Sequence, residues 1–369
     1  MINVLGMHNF KCFEAQTLKL GPLTLLSGLN GMGKSTVLQS LLLLRQSHEQ
    51  HLLPDTGLAL NGELVNIGTA ADALFEGASE DKIGFDVGLS DGTVGRWRFK
   101  YDKEADVIEV DTVEAPDGIF SSSLFGDYFQ YLNAERLGPR TSFPISDYQV
   151  RHHRQLGTKG EYTAHFLSLF GRNEISVPGL AHEESESLQL RDQVEAWIGE
   201  MSPGVRVHFV SHEGMDLVNL QYSFLQGDQI SNQYRSTNVG FGITYVLPTV
   251  VAILSSKPGT LLLLENPEAH LHPKGQAKLG ELMARAAAGE VQIIVETHSD
   301  HVLNGIRIAV KREIIQPSSV NLHFFTQSLD AGKIQKTVIS PDIRKDGRLA
   351  EWPGGFFDEW DKSLEVLLS

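Results

Sequence analysis

Eight residues near the start of the chain, Gly28-Leu29-Asn30-Gly31-Met32-Gly33-Lys34-Ser35, fit the spacing GxxxxGK[ST] at every fixed position. They follow an apolar run, Leu23 to Ser27, and precede a leucine-dense stretch from Lys34 to Arg45 with helical character. A strand that turns on glycines into a helix is the context that gives this spacing its meaning. Glycines let main-chain N–H groups turn inward around phosphate oxygens, and the helix start adds the positive end of its dipole. Lys34 would neutralise the β- and γ-phosphates without any packing role, and the Ser35 hydroxyl would ligate Mg2+. The feature implies binding of a nucleoside triphosphate, ATP or GTP.

Composition narrows what such a chain does. Of 369 residues, 41% are hydrophobic and 21% charged, which is ample chain for a buried core. Lys and Arg number 31 against 46 Asp and Glu, a net charge of −15 that argues against a general nucleic-acid or membrane-surface binder. Cys12 is the single cysteine, which rules out an intramolecular disulfide and suits a reducing cytosol. The opening residues lack the basic segment and apolar core of a signal peptide. The longest apolar run, Ile243 to Leu254, contains Pro248 and falls short of the ~20 residues that cross a bilayer. A cytoplasmic protein with no membrane partner is expected.

Strands are expected over Ile2 to Phe10, Thr17 to Leu20 and Leu23 to Ser27. Between Lys82 and Val113 three β-rich runs, the first two separated by Ser90-Asp91-Gly92, predict an antiparallel meander. Residues 161–202 read as largely helical, with Leu190, Val194, Ile198 and Met201 on one face. Beyond Val205 the elements alternate. Strands are expected from Val205 to Val210 and Leu217 to Phe224, then a buried helix from Phe241 to Leu254 and a strand from Leu261 to Glu265. A helix from Lys274 to Ala288, a strand from Val291 to Glu296, a helix from Ser299 to Val310 and a strand from Val320 to Phe325 follow. Continuous apolar strands between helices argue for a parallel sheet covered on both faces.

The run Leu261 to Glu265 ends an apolar strand in an acid, the arrangement that holds Mg2+. It continues Asn266-Pro267-Glu268-Ala269-His270-Leu271-His272-Pro273, and a separate strand delivers Thr297-His298-Ser299-Asp300. Asn9-Phe10-Lys11-Cys12-Phe13 precedes the phosphate loop. With these motifs the chain resembles the ABC-type ATPases of the structural-maintenance and overcoming-lysogenization-defect (OLD) group, over residues 1–50 and 230–305. The resemblance implies that ATP is the nucleotide and that Glu265 is the Walker B acid, a partner of Ser35 in holding Mg2+. It makes His298 a switch histidine at the γ-phosphate and puts Lys11 near the nucleotide. Asn30, Gly31, Met32, Gly33, Lys34, Ser35 and Thr36 would form the binding loop. Asn238-Val239-Gly240-Phe241-Gly242 resembles the group's degenerate signature motif, so Asn238, Gly240 and Gly242 are expected to contact ATP bound by the opposite subunit of a head-to-tail homodimer. Thr237 or Asn238 would cap the helix that follows. The segments YLNAERLGPR (131–140), LGTKGEYTAHFL (156–167) and LAEWPGGFFDEW (349–360) look like parts of a defence-associated branch of the group.

The chain departs from the group's pattern at Asn266, where the catalytic base is expected. An amide cannot take a proton at neutral pH, although it can orient water. Either Glu268 supplies the base or hydrolysis is slow by construction. About sixty residues follow the helix that starts at Ser299, too few for the Toprim nuclease that proteins of the OLD type carry. The acids Glu351, Asp358, Glu359 and Asp361, interleaved with Trp352, Phe356, Phe357 and Trp360, read as a packing segment with a solvated face. The resemblance makes His270 and His272 part of a loop facing a dimer partner rather than a metal pair, and Arg151-His152-His153-Arg154 reads as a solvated loop.

The expected fold is α/β, of the ABC-ATPase type, with a mixed core sheet, an antiparallel β-subdomain and a helical subdomain. A single domain is expected over 1–369, with lobes 1–150, 151–235 and 236–369. The expected function is Mg2+-dependent closure of a dimer around ATP, with slow hydrolysis controlling a protein effector; anti-phage defence follows from resemblance alone. Two other readings stay open. One is a non-hydrolysing ATP sensor or scaffold; the other is a DNA-repair clamp, against which the net charge argues.

Overall fold

In the computed structural model, which describes residues 1–53, 55–227, 229–330 and 333–368, strand Ile2–Phe10 is the second of six strands in an antiparallel sheet. It pairs with Phe13–Lys19 on one side and Lys82–Leu89 on the other, and the sheet continues through Val94–Lys100 and Val107–Glu114 to the short edge strand Gly57–Ala59. The hairpin after Leu89 turns at the expected residues. Gly92 takes φ +90°, and Asp91 Oδ1 accepts the Thr93 N–H at 2.9 Å. Phe10, Phe85, Trp97 and Phe99 from this sheet are buried together with the apolar face of helix Lys34–Glu49.

These strands belong to the first of two units, Met1–Phe129 with Val320–Asp342 and Leu349–Ser369. The phosphate-loop strand Leu23–Gly28 lies in the same unit. It pairs in parallel with Val320–Asp330, which turns back antiparallel as Lys333–Ile339. Gly28 closes that strand at φ +136°, and a Cβ there would lie 2.1 Å from the Phe325 carbonyl oxygen. Neither the backbone nor the space admits a side chain.

The second unit comprises Gln130–Ser319 and Ile343–Arg348. Strands Leu261–Glu265 and Gln292–Glu296 run parallel with Glu265 opposite Glu296, and Phe129–Leu132 lies on the other side of Leu261–Glu265. All four leucines of the acid strand are buried, because helices Phe241–Leu254 and Pro273–Ala288 pack beside the pair. Helix Asp300–Lys311 starts from Ser299, whose side chain caps the Val302 N–H at 3.0 Å.

Two expectations are corrected. Val205–His212 and Leu217–Gln226 are not strands of a parallel sheet; they form one antiparallel ladder from Val205↔Phe224 to His212↔Leu217. Only 213–216 separate them, too short a link for the crossover that parallel strands require. Residues 161–202, expected to be largely helical, hold two α-helices, Thr163–Phe170 and Leu190–Gly199, with most of the chain between them non-helical. Gly171, Pro178 and Gly179 interrupt them, and the intervening chain is turn, bridge and a short 3-10 segment, Pro178–Leu180.

Gly28→Ala is expected to destabilise the protein by about 2–4 kcal/mol, since positive-φ strain adds to a clash with main chain. Chemical denaturation of the variant beside the wild type measures it; a shift under half of that would mean the strand end relaxes.

Candidate nucleotide site

The phosphate loop lies wholly in the first unit. Gly31 and Gly33 adopt φ of +74° and +104°, so successive N–H groups of the loop turn to one side. A Cβ on Gly33 would come within 2.6 Å of Cys12 Sγ and of the Phe13 ring, which are supplied by the turn before strand Phe13–Lys19. Gly33 also caps helix Lys34–Glu49 without any side-chain hydrogen bond, leaving its first turn to an anion. Lys34 is only 4% exposed and its Nζ donates to the carbonyls of Gly28 and Leu29, at 3.0 and 2.9 Å. The expectation that it has no structural part is therefore corrected: it ties the loop to its own strand. Ser35 is half-buried at the helix start, Met32 is half-buried, and Asn30 and Gly31 are exposed.

The surroundings of the loop are partly new. Lys11, in the left-handed region at φ +52°, reaches Gln39 Oε1 at 2.9 Å, and burial lowers its pKa. Thr36 is buried, its hydroxyl 3.8 Å from Cys12 Sγ, and burial pushes that thiol's pKa up. Lys336, which the sequence did not single out, donates from the returning strand to the Gly31 carbonyl at 3.0 Å. Nothing in its local pattern distinguishes it from any strand lysine.

The acidic residues lie in the second unit. Glu265 accepts the Tyr131 hydroxyl at 2.8 Å on Oε1 and the Ala134 N–H at 3.2 Å on Oε2. Burial, and then the neighbouring Glu265 carboxylate, raise the pKa of Tyr131 well above the ordinary phenol value, so it stays a donor. Asn266 takes φ +43°, a region that asparagine tolerates better than glutamate does. Its N–H donates to the Glu296 carbonyl at 2.8 Å, and its buried Oδ1 has no hydrogen-bond partner among the described residues. Glu268 is 6% exposed; its Oε1 accepts the His298 N–H at 3.0 Å, and its buried Oε2 has no such partner. The His298 side chain is exposed. Ser35 in the first unit and Glu265 in the second each carry a hard oxygen of the type Mg2+ takes.

At the signature residues, Asn238 and Gly240 are exposed and Gly242 is half-buried. The expected side-chain cap is absent: Gly240 is the cap of helix Phe241–Leu254, and Thr237 Oγ1 instead faces Asn238 Oδ1 at 3.4 Å. Gly242 lies against the loop after the acid strand, where a Cβ would meet the His270 carbonyl oxygen at 2.5 Å. His270 packs edge-on against Phe241 and Tyr245, whereas His272 caps the next helix by accepting the Lys274 N–H, so the two imidazoles have separate structural tasks. Arg151 pairs with Asp147 at 2.6 Å and Arg154 lies over the Phe170 ring. Toward the C-terminus, buried Phe356 packs against Phe324, Trp352 and Phe357; the side chains of Glu359, Trp360 and Asp361 lie outside the described residues.

A glycine-turned phosphate loop and an acid-ended parallel strand define a P-loop nucleotide-binding domain. The chain belongs to the family described as "AAA domain, putative AbiEii toxin, Type IV TA system", whose model matches residues 23–304. Residues 315–367 match a second family, described as a protein of unknown function (DUF3696). The chain is similar to an OLD nuclease of Thermus scotoductus, 25% identical over 344 residues; the match takes in 81% of this chain and 59% of that protein, about three-fifths of its length. Among solved structures it shares the fold of the SmcHead bound to the C-winged helix domain of ScpA, with a TM-score of 0.58 and 14% identity over 92% of this chain and 97% of that one. A second is the Smc head domain with an extended coiled coil bound to the C-terminal domain of ScpA, derived from Pyrococcus furiosus, with a TM-score of 0.53 and 12% identity over 100% and 99%.

Lys34→Ala is expected to weaken ATP binding by at least about 100-fold, because it removes the one charge inside the loop. Calorimetric titration with ATP measures it, with circular dichroism to establish that the variant is folded. Unchanged affinity in a folded variant would remove the phosphate-loop assignment.

Proposed function

We propose that the chain binds Mg·ATP, closes as a head-to-tail homodimer around two nucleotides, and hydrolyses them slowly to control a protein effector in anti-phage defence. Glu268 carries the catalytic part of this reading. It is a buried carboxylate two residues past the position where the group keeps its base, with one oxygen anchored by the His298 main chain and the other lacking a partner. Such an oxygen is disposed to accept a proton from water, while Asn266 orients that water by hydrogen bonding. Mg2+ would be held by Ser35 and Glu265 and supplies charge stabilisation to the phosphates. Lys34 and the loop amides bind the β- and γ-phosphates, Lys11, Asn30, Met32 and Thr36 flank them, and His298 contacts the γ-phosphate.

The exposed start of helix Phe241–Leu254, uncapped by any side chain and preceded by Asn238 and Gly240, supports a role toward the partner subunit's ATP. The SMC heads of similar fold are described in complex with ScpA domains, which favours a protein partner here as well. A non-hydrolysing sensor is the second reading, favoured by the amide at 266.

Glu268→Gln is expected to slow single-turnover hydrolysis by ~10²–10⁴-fold while ATP binding persists. His298→Ala should also abolish turnover. If Glu268→Gln changes nothing and only Asn266→Glu raises the rate, the chain is a slow clamp and Glu268 is not its base. The dimer has its own test. A Lys34→Ala chain mixed with a Gly240→Glu chain is expected to recover at most one competent site, read as partial ATPase activity that neither variant has alone; no recovery at any mixing ratio counts against sites shared between subunits.

A further inference from the structure

Arg136 is 6% exposed, and its guanidinium is spent on main chain: it donates to the carbonyls of Glu265 and Asn266, the latter at 3.2 Å. Its charge faces the Glu265 and Glu268 carboxylates, and its plane lies over the Tyr245 ring at 4.9 Å. Burying a cation without a bidentate carboxylate partner is unfavourable, and a residue serving only to fill space would avoid it. The same loop holds Glu265 at both oxygens, through Tyr131 and Ala134. It also holds the signature helix, because the Tyr245 hydroxyl donates to the Ala134 carbonyl and Phe241 lies against Gly138, leaving no room for a Cβ.

A second segment braces the first. Asn133 and Leu137 donate to the carbonyls of Thr158 and Lys159, both at 2.9 Å, and Lys159 pairs with Glu135 at 3.0 Å. Gly160 then abuts Pro248 of the signature helix so closely that a Cβ would lie 2.4 Å from the proline ring. Segment 131–138, which begins at the end of strand Phe129–Leu132, and loop 156–160 thus form a continuous bridge of hydrogen bonds and contacts from the acid end of strand Leu261–Glu265 to helix Phe241–Leu254.

We infer that this bridge is a coupling element, with Arg136 as its positioning residue: movement of the signature helix on engaging nucleotide is transmitted to the Walker B acid and to the backbone of Asn266. The inference rests on the proposed function, since it assigns the signature helix to one nucleotide and Glu265 to the other. A rigid bridge would make each site's readiness depend on the partner's occupancy, which is a coupling free energy between two sites.

The test is hydrogen exchange of the full-length protein with and without Mg·ATP, beside nucleotide affinity and single-turnover hydrolysis. In the wild type Mg·ATP should protect 131–137 and 241–246 together. Tyr245→Phe, which deletes one oxygen, should keep the protection of 241–246, lose that of 131–137, and lower hydrolysis about tenfold, the scale of one hydrogen bond in the transition state, with affinity within about twofold. Arg136→Lys keeps the charge but loses the planar fork whose two separate nitrogens reach the carbonyls of Glu265 and Asn266, and should behave likewise or worse. Should it fail to fold, Tyr245→Phe carries the test. Joint protection and undiminished hydrolysis in Tyr245→Phe would overturn the coupling role while leaving the ATPase reading intact. No ATP-dependent protection in the wild type would remove both.

Discussion

Phosphate recognition by main-chain N–H groups sets the terms for the first unit. A chain that turns three N–H groups toward one point must take left-handed values at two residues, and those residues lose their side chains. Gly31 and Gly33 meet that condition, and the room released at Gly33 is filled from outside the loop by Cys12 and the Phe13 ring. The turn containing Lys11 and Cys12 is thereby pressed against the start of helix Lys34–Glu49. The motif before the phosphate loop and the loop itself are one packed object, although a whole strand separates them in the chain.

The second unit answers a different constraint, the cost of burying acids. Glu268 and Glu296 are almost fully buried and Glu265 half so. A buried polar oxygen left without a partner costs free energy, so donors and a nearby cation are placed against it. Tyr131, Ala134 and Arg136 supply them from one loop, and the His298 main chain supplies another to Glu268. Asn266, the departure from the group's pattern, is consistent with the same economy. It places no fourth carboxylate at this point, and its left-handed backbone suits an amide side chain better than a longer acid.

Much of this was legible in residues. Helix Phe241–Leu254 and strand Leu261–Glu265 fall at their expected bounds because each is a predominantly apolar run flanked by glycine or polar residues. The hairpin at Asp91-Gly92 and the strand–glycine–helix passage at Gly28 were equally plain, since turn chemistry is local. The antiparallel ladder at Val205 was misread because a buried strand shows the same apolar pattern whichever way its neighbour runs; the short link between the two strands was the overlooked signal. The helical reading of 161–202 failed where glycines and Pro178 outweighed a periodic stretch.

By itself, the sequence determined the phosphate loop, the acid-ended strand and the order of motifs, because each is written within a few adjacent residues whose spacing is their chemistry. It marked YLNAERLGPR as a segment but could assign it no task. That assignment depended on tertiary structure, which alone brings Tyr131 to Glu265 across 134 positions and Tyr245 to Ala134 across 111. Hydrogen bonds at such separations leave no periodicity in a single chain: the loop residues that hold an acid look the same as those that face water until the chain has closed around them.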